Sequence, residues 1–232
     1  MAPFGTLYTT TKLHHARVTK ILAAANLNGL EILVDPNFTF PGDNNSAEYK
    51  EKFPLGKIPA FETPSGLYLA EGIAITHYVC DAGPRREQLL GGTAEKRALV
   101  QMWVSFAEIE LFANMGPILM AIKDKKFISE VVEEREKHFR RALDRVEQQL
   151  AQEGSLWLVH GSELSLADLS VAAALYWPLA LFMDEEYRNG CPKTMEWLER
   201  LMAVDGVGEA FKAPLNLCKE RPDLNGGAAV SF

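Results

Sequence analysis

Cysteine is scarce in this chain. Among 232 residues only Cys80, Cys191 and Cys218 occur, odd in number, scattered, and without CxxC spacing, which argues against a disulfide framework or a structural zinc site and fits a reducing compartment. An excess of positive charge is also missing. Lys and Arg number 24 against 31 Asp and Glu, a formal net charge of -7, so long-range attraction to nucleic acid or to an anionic membrane surface is disfavoured. No uninterrupted apolar run approaches the ~20 residues that span a bilayer, and the opening MAPFGTLYTT lacks the cationic flank and apolar stretch of a leader. The expectation is a cytoplasmic protein with neither nucleic acid nor membrane as partner. Internal repeats and low-complexity tracts are absent, and no His/Cys/Asp spacing supports a metal site; His14 and His15 are adjacent and so do not share a helix face.

What is present reads as two units. FGTLYTT (4–10) is β-branched and aromatic, HARVTKILAAANLNGL places Val18, Ile21, Leu22 and Ala25 at helical spacing, and LEILVD (30–35) is a second strand, giving a βαβ opening with a right-handed crossover. A loop rich in Pro, Gly and Asn follows, with a short helix beginning near Ser46. IPAFET and GLYLAE form a hairpin around Pro64-Ser65-Gly66, and a helix starts at about Gly72. The β-α-β-α-β-β-α order fills a first domain, residues 1–84, and a turn-like linker is expected at 83–92. Beyond it TAEKRALVQMWVSFAEIEL and three later segments carry helical periodicity only. The second domain, 92–221, is therefore all-helical, and 222–232 is expected to be an irregular tail.

The stretch KFPLGKIPAFETPSGLYLAEGIAI (52–75) holds the chemistry. Pro59 either simply starts an edge strand, where its missing N–H does least harm, or follows a cis bond that turns the Ile58 main chain outward to pair with a peptide-like ligand. Glu71, at a strand-to-helix junction, either complements the positive helix end or accepts from a ligand ammonium group while the helix N-terminus takes a ligand carboxylate. Lys57 can face a second carboxylate or be an ordinary solvated lysine.

On these residues the chain resembles the cytosolic glutathione transferases: an α/β thioredoxin-like N-terminal domain followed by an all-α domain. PLGKIPAFE (54–62) is similar to the transferase-like domain of the elongation factor 1 gamma subunit, and GTLYTT with ARVTKILAAANLNGLEI (16–32) looks like fungal members of that group. The resemblance implies that Pro59 is the cis-proline, that Ile58 pairs with the cysteinyl part of glutathione, that Glu71 holds the γ-glutamyl ammonium, and that Lys57 faces the glycyl carboxylate. It also implies that Ser165-Leu166-Ala167-Asp168 is a structural capping box, and that the protein is a homodimer.

Two departures stand out. The family's Glu-Ser pair is Glu71-Gly72 here, which removes a hydroxyl contact worth about 1 to 3 kcal/mol to a charged group. Where several classes carry a serine, four residues before Arg17, this chain has Leu13. A thiol of pKa near 8.5 must be held as thiolate to react at neutral pH. Thr10 is the first choice for that contact, with Thr11 and Lys12 behind it, and Tyr8 is expected to point into the core. The second substrate is placed between the domains, against Trp103, Phe106, Glu110 and Asn114, with at least one of the two aromatics expected to be a core residue instead, and with Met115, Met120 and Phe182 suited to a bulky apolar molecule.

The leading expectation is thus an enzyme that binds glutathione as cosubstrate and adds its thiolate to a hydrophobic electrophile. A reversible addition would instead give cis-trans isomerisation of a fungal secondary metabolite. The rival from another class is a non-catalytic interaction module like the gamma-subunit domain; the enzyme is preferred because Lys57, Pro59 and Glu71 are retained and no long linker or second folded region follows the helical domain.

Overall fold

The computed structural model describes residues 2–12, 14–124, 129–159 and 161–222. Strands β1 (Gly5–Tyr8), β2 (Ile32–Val34), β3 (Ala60–Glu62) and β4 (Tyr68–Ala70) form one sheet in the order β2-β1-β3-β4. β1 pairs with β2 in parallel, across α1 (Ala16–Asn28), and the other two pairings are antiparallel, as a βαβ unit followed by a hairpin requires. Gly29, at φ 65° and donating to Ala25 and Asn26 carbonyls, ends α1 in the left-handed conformation that glycine adopts without strain. Ser46 caps α2 (Ala47–Lys52) by accepting from the Tyr49 amide, and α3 (Gly72–Asp81) closes the unit.

The segment expected to be a plain linker holds a short helix, α4 (Arg86–Leu90), whose Leu89 and Leu90 enter the core; burial of this leucine pair outweighs the turn chemistry of the Gly-Pro that precedes it. From Ala94 to Asp124 the chain is one helical rod of 31 residues, long and apolar enough by composition to cross a bilayer. Its apolar side packs on α7 (Ser129–Leu150) and α8 (Leu166–Leu181), so it is read as a core helix. The rod is not uniform. Between α5 (Ala94–Phe106) and α6 (Ala113–Asp124) lies a π-helical stretch, Ala107–Phe112, and α9 (Glu185–Asn189), α10 (Pro192–Met202) and α11 (Val207–Phe211) complete the domain. Residues 223–232 of the expected tail, and Leu13, lie outside the described residues.

One hydrophobic core runs through both domains, from Leu7, Ile21, Phe61 and Ile75 to Leu111, Phe139 and Trp197. A buried ion cluster crosses the same boundary. Glu108, in the π-helical stretch, takes Lys20 Nζ on Oε1 at 2.9 Å and Arg17 Nε and Nη2 on Oε2 at 3.1 and 2.9 Å. Lys20 is fully buried. Burial pushes the Glu108 carboxyl up, but Lys20 and then Arg17 outweigh it and hold it below the usual carboxylate range.

Asp168 is the corresponding anchor within the helical domain. It accepts from the amides of Leu158 and Ser165, from Ser165 Oγ and from Trp197 Nε1 at 2.8 to 3.2 Å, so the capping box also ties α8 to α10. Burial pushes its carboxyl up while these four donors oppose the shift. Asp168→Ala strands several buried donors at about 1–3 kcal/mol each; the expected loss in urea unfolding is at least about 3 kcal/mol, and a loss below 1 kcal/mol would contradict the role given to this carboxylate.

The histidine pair sits at the boundary as well. His14 stacks on Tyr176 with centroids 3.9 Å apart, its Nε2 2.5 Å from Thr19 Oγ1. Burial lowers both His14 and His15 to about 4, with Lys212 and His15 adding to the first shift and Arg17 to the second. In the unfolded chain they take a proton near about 6.5, so their contribution is complete above that value and is lost as pH falls from there towards 4. The melting temperature should drop more steeply between pH 7.5 and pH 5, conditions chosen to bracket about 6.5, in the native chain than in the His14→Gln/His15→Gln variant; equal slopes would contradict this.

Candidate functional site

A cavity of about 500 Å³ opens between the domains. The first domain lines it with Lys57, Ile58, Pro59, Glu71 and Gly72, α1 adds Arg17, and the second domain adds Glu108. Leu55, 72% exposed, stands at its lip beside Phe53 and Pro54.

The loop carrying Lys57 to Pro59 is fixed from behind. Phe38, Tyr49 and Phe53 form a small aromatic cluster with Tyr8 against it. Tyr49 Oη donates to the Lys57 carbonyl at 2.9 Å, and Asn44 Nδ2 donates to the Gly56 carbonyl at 2.8 Å. Gly56 is required on two grounds: its φ is 59°, and a Cβ there would lie 2.8 Å from the Asn44 carbonyl oxygen. The Ile58–Pro59 bond is cis.

Glu71 caps α3 in a conformation rare for a side-chain residue, φ 65° and ψ 116°. Such backbone strain, about 1–3 kcal/mol, persists where surrounding structure over-determines it and gathers at ligand sites. Here β4 ends at Ala70 and the Glu71 carbonyl accepts from the Ile75 amide at 3.0 Å, so both neighbours of the strained residue are committed. Its exposed carboxylate makes no cap on its own helix, and the first turn of α3 carries no acidic residue. The open amides and the helix dipole therefore favour an anion beside Glu71. The arrangement offers a carboxylate for an ammonium group and a positive helix end for a carboxylate.

All five residues assigned to glutathione, Lys57, Ile58, Pro59, Glu71 and Gly72, thus meet in one cavity. The others do not join them. Thr10, Thr11 and Lys12 form the turn after β1, with Thr10 Oγ1 accepting from the Lys12 amide at 3.3 Å, and none of the three lines the cavity. Thr9 is buried with its hydroxyl unpartnered among the described residues. Tyr8, expected to point into the core, packs half-buried against the smaller core cluster of Phe38, Tyr49 and Phe53. Its hydroxyl donates to Glu62 at 2.9 Å, and burial followed by that contact pushes its pKa up, so it is committed elsewhere.

The helical rod presents a different face to the cavity than the one expected. Trp103 is 2% exposed, edge-to-face with Phe106, and has the Arg145 guanidinium 4.9 Å from its ring centroid. Asn114, 6% exposed, donates to the Glu110 carbonyl and accepts from Arg135, and Glu110 lies 3.6 Å from Arg141. The three arginines, Arg135, Arg141 and Arg145, lie on α7. Trp103, Glu110 and Asn114 hold the rod to α7, while the cavity side carries Glu108, and Phe112 stacks under the Arg17 guanidinium at 4.3 Å. Met115 and Phe182 are buried in the core and Met120 is exposed. The sequence reading missed Arg17 and Glu108. A π-helical stretch breaks the 3.6-residue period, so the spacing of WVSFAEIEL does not tell which of Glu108 and Glu110 faces α1.

Comparison with known proteins agrees with this architecture. The glutathione S-transferase N-terminal domain model matches residues 4–81 and the C-terminal domain model matches residues 129–200. A glutathione S-transferase-like protein, LUC7, of Fusarium sp is 39% identical over 215 residues, 92% of this chain and 95% of that one. Elongation factor 1-gamma of Equus caballus is 33% identical over 83% of this chain, which spans 43% of that protein. The crystal structure of the glutathione transferase URE2P6 from Phanerochaete chrysosporium, in complex with oxidized glutathione, superimposes with a TM-score of 0.79 over 91% of this chain and 96% of that one, at 19% identity; at that identity it speaks for the fold. Two domain models in the right order and a relative 39% identical over 95% of its length leave one conclusion: the chain belongs to the glutathione S-transferase family.

Proposed function

We propose that this protein is a cytoplasmic, homodimeric glutathione transferase that binds glutathione in the interdomain cavity and adds its thiolate to a hydrophobic electrophile. The observation that carries the reading is the strained Glu71, held with its carboxylate beside the open N-terminus of α3 and opposite the Lys57-Ile58-Pro59 loop. Glutathione is an amino-acid-like zwitterion at its γ-glutamyl end and a carboxylate at its glycyl end. Glu71 takes the ammonium, the α3 amides favour the neighbouring carboxylate, Ile58 offers its main chain to the cysteinyl unit, and Lys57 faces the far carboxylate.

The thiol then lies towards the turn after β1. Thr10, with Thr11 and Lys12 behind it, is the choice for a hydroxyl or cation there, and conjugation rather than isomerisation is the default outcome of the thiolate attack. A second reading, a non-catalytic interaction module, draws on the likeness to elongation factor 1-gamma and on the absence of these three residues from the cavity wall.

The test is calorimetric titration with glutathione. The native protein should bind saturably, and Glu71→Ala, which removes a charge-assisted contact worth about 1.5–3 kcal/mol, should bind at least about tenfold more weakly. Equal affinity of the two proteins would remove Glu71 from the site. Absence of binding to the native protein up to millimolar glutathione would put the non-catalytic reading first.

A further inference from the structure

We infer that a second cavity, between β1, α2 and the loop that joins β2 to α2, binds a linear polyamine, with the alkyl chain over an aromatic floor and the ammonium groups on separate carboxylates. The inference stands apart from the glutathione reading: this cavity, about 300 Å³, shares no lining residue with the interdomain one.

Three observations carry it. First, the floor is aromatic and fixed. Tyr8, Phe38 and Tyr49 line the cavity with ring centroids 5.2 to 5.8 Å apart, and Phe38 and Tyr49 belong to the small core cluster. Ring faces attract an ammonium group electrostatically, and more strongly where water is partly excluded. Second, the wall is acidic and its charge is unspent. Asp35, Asp43 and Glu48 line it; Asp35 and Asp43 each accept one backbone amide, from Asn37 at 2.9 Å and from Thr39 at 2.7 Å, and none of the three pairs with a cation among the described residues. Lys52, the basic residue of the lining, is already given to Glu62 at 3.0 Å. The negative field reaches the floor: burial, then the contact with Glu62, then the charges of Glu62 and Asp35 push the Tyr8 phenol up.

Third, the carboxylates are spread out. Among the described residues no three His, Cys, Asp or Glu side chains come together closely enough to hold a metal ion, so the wall offers separate points of negative charge rather than one coordination centre. A compact inorganic cation uses one of them at a time. A chain with amino groups several bonds apart uses them together, and its methylenes gain by covering the rings. The protein shows the same mode next door, where Lys52 Nζ lies 5.4 Å from the Tyr68 ring centroid while it donates to Glu62. A free polyamine is assigned, rather than a lysine side chain of another protein, because a lysine brings one ammonium to three carboxylates.

Calorimetric titration with spermidine at constant ionic strength makes the test. The native protein should bind it saturably, at one site per chain. The double variant Asp35→Asn/Glu48→Gln keeps an oxygen at position 35 for the Asn37 amide but removes both charges, and should bind about fivefold or more weakly, the scale of two ion pairs at a partly open site. Glu153→Gln, which removes a carboxylate from the helical domain, should leave the affinity unchanged. Absence of saturable binding, an affinity unaffected by the double variant, or equal weakening by Glu153→Gln would each overturn the site. Magnesium chloride binding as tightly as spermidine would overturn the polyamine in favour of an inorganic cation, and N-acetyl-lysine amide binding as tightly would overturn it in favour of a protein side chain. If the double variant does not fold, Glu48→Gln alone, at an exposed position of α2, should weaken spermidine about twofold, and no change would overturn the assignment.

Discussion

The meeting of Glu108 with Arg17 and Lys20 is the constraint on which the remaining structure hangs. A carboxylate from the helical domain is placed between two cations of α1, one of them without any contact with water. Removing Glu108 leaves the fully buried Lys20 uncompensated, at about 3–5 kcal/mol. A buried cluster of this kind contributes less to net stability than to uniqueness: it admits one rotation of the rod and one seating of α1, whereas apolar packing alone tolerates several. The cavity inherits that precision, because two of its walls are members of the cluster.

The site itself combines fixed and open parts. The loop before β3 is tethered by Asn44 and Tyr49 through main-chain carbonyls, and Glu71 is held at positive φ by its neighbours, so the groups that would meet a peptide ligand need little reorganisation. Leu55 at the lip and the first turn of α3 remain open.

Much of this was legible in the sequence because it depends on local chemistry. Asn28-Gly29, Ser46, Pro64-Ser65-Gly66 and the Ser165 to Asp168 box each specify an end or a turn within a few residues, and the structure has all of them where the sequence places them. The cluster Lys57, Ile58, Pro59, Glu71 and Gly72 was also readable, since a hairpin necessarily brings its two ends together. What could not be read was rotation. Helical spacing places Trp103, Phe106, Glu110 and Asn114 on one rod without telling which of them faces the cleft: Trp103 is buried in the core, and within and beyond the π-helical stretch Glu110 and Asn114 meet arginines of α7. Arg17 went unassigned because its partner is 91 residues away, and no periodicity connects positions so far apart.

All four tryptophans, Trp103, Trp157, Trp177 and Trp197, lie in the helical domain, whereas Glu71 and Lys57 lie in the first. Urea unfolding followed by tryptophan fluorescence, with and without glutathione, therefore asks directly whether a ligand held mainly by one domain stabilises the other through the Glu108 joint. A ligand at about 100 times its Kd adds about 2.7 kcal/mol to whatever unfolds with its site, so the tryptophan-reported midpoint should rise with glutathione. A midpoint indifferent to glutathione would contradict a single cooperative unit built around that site.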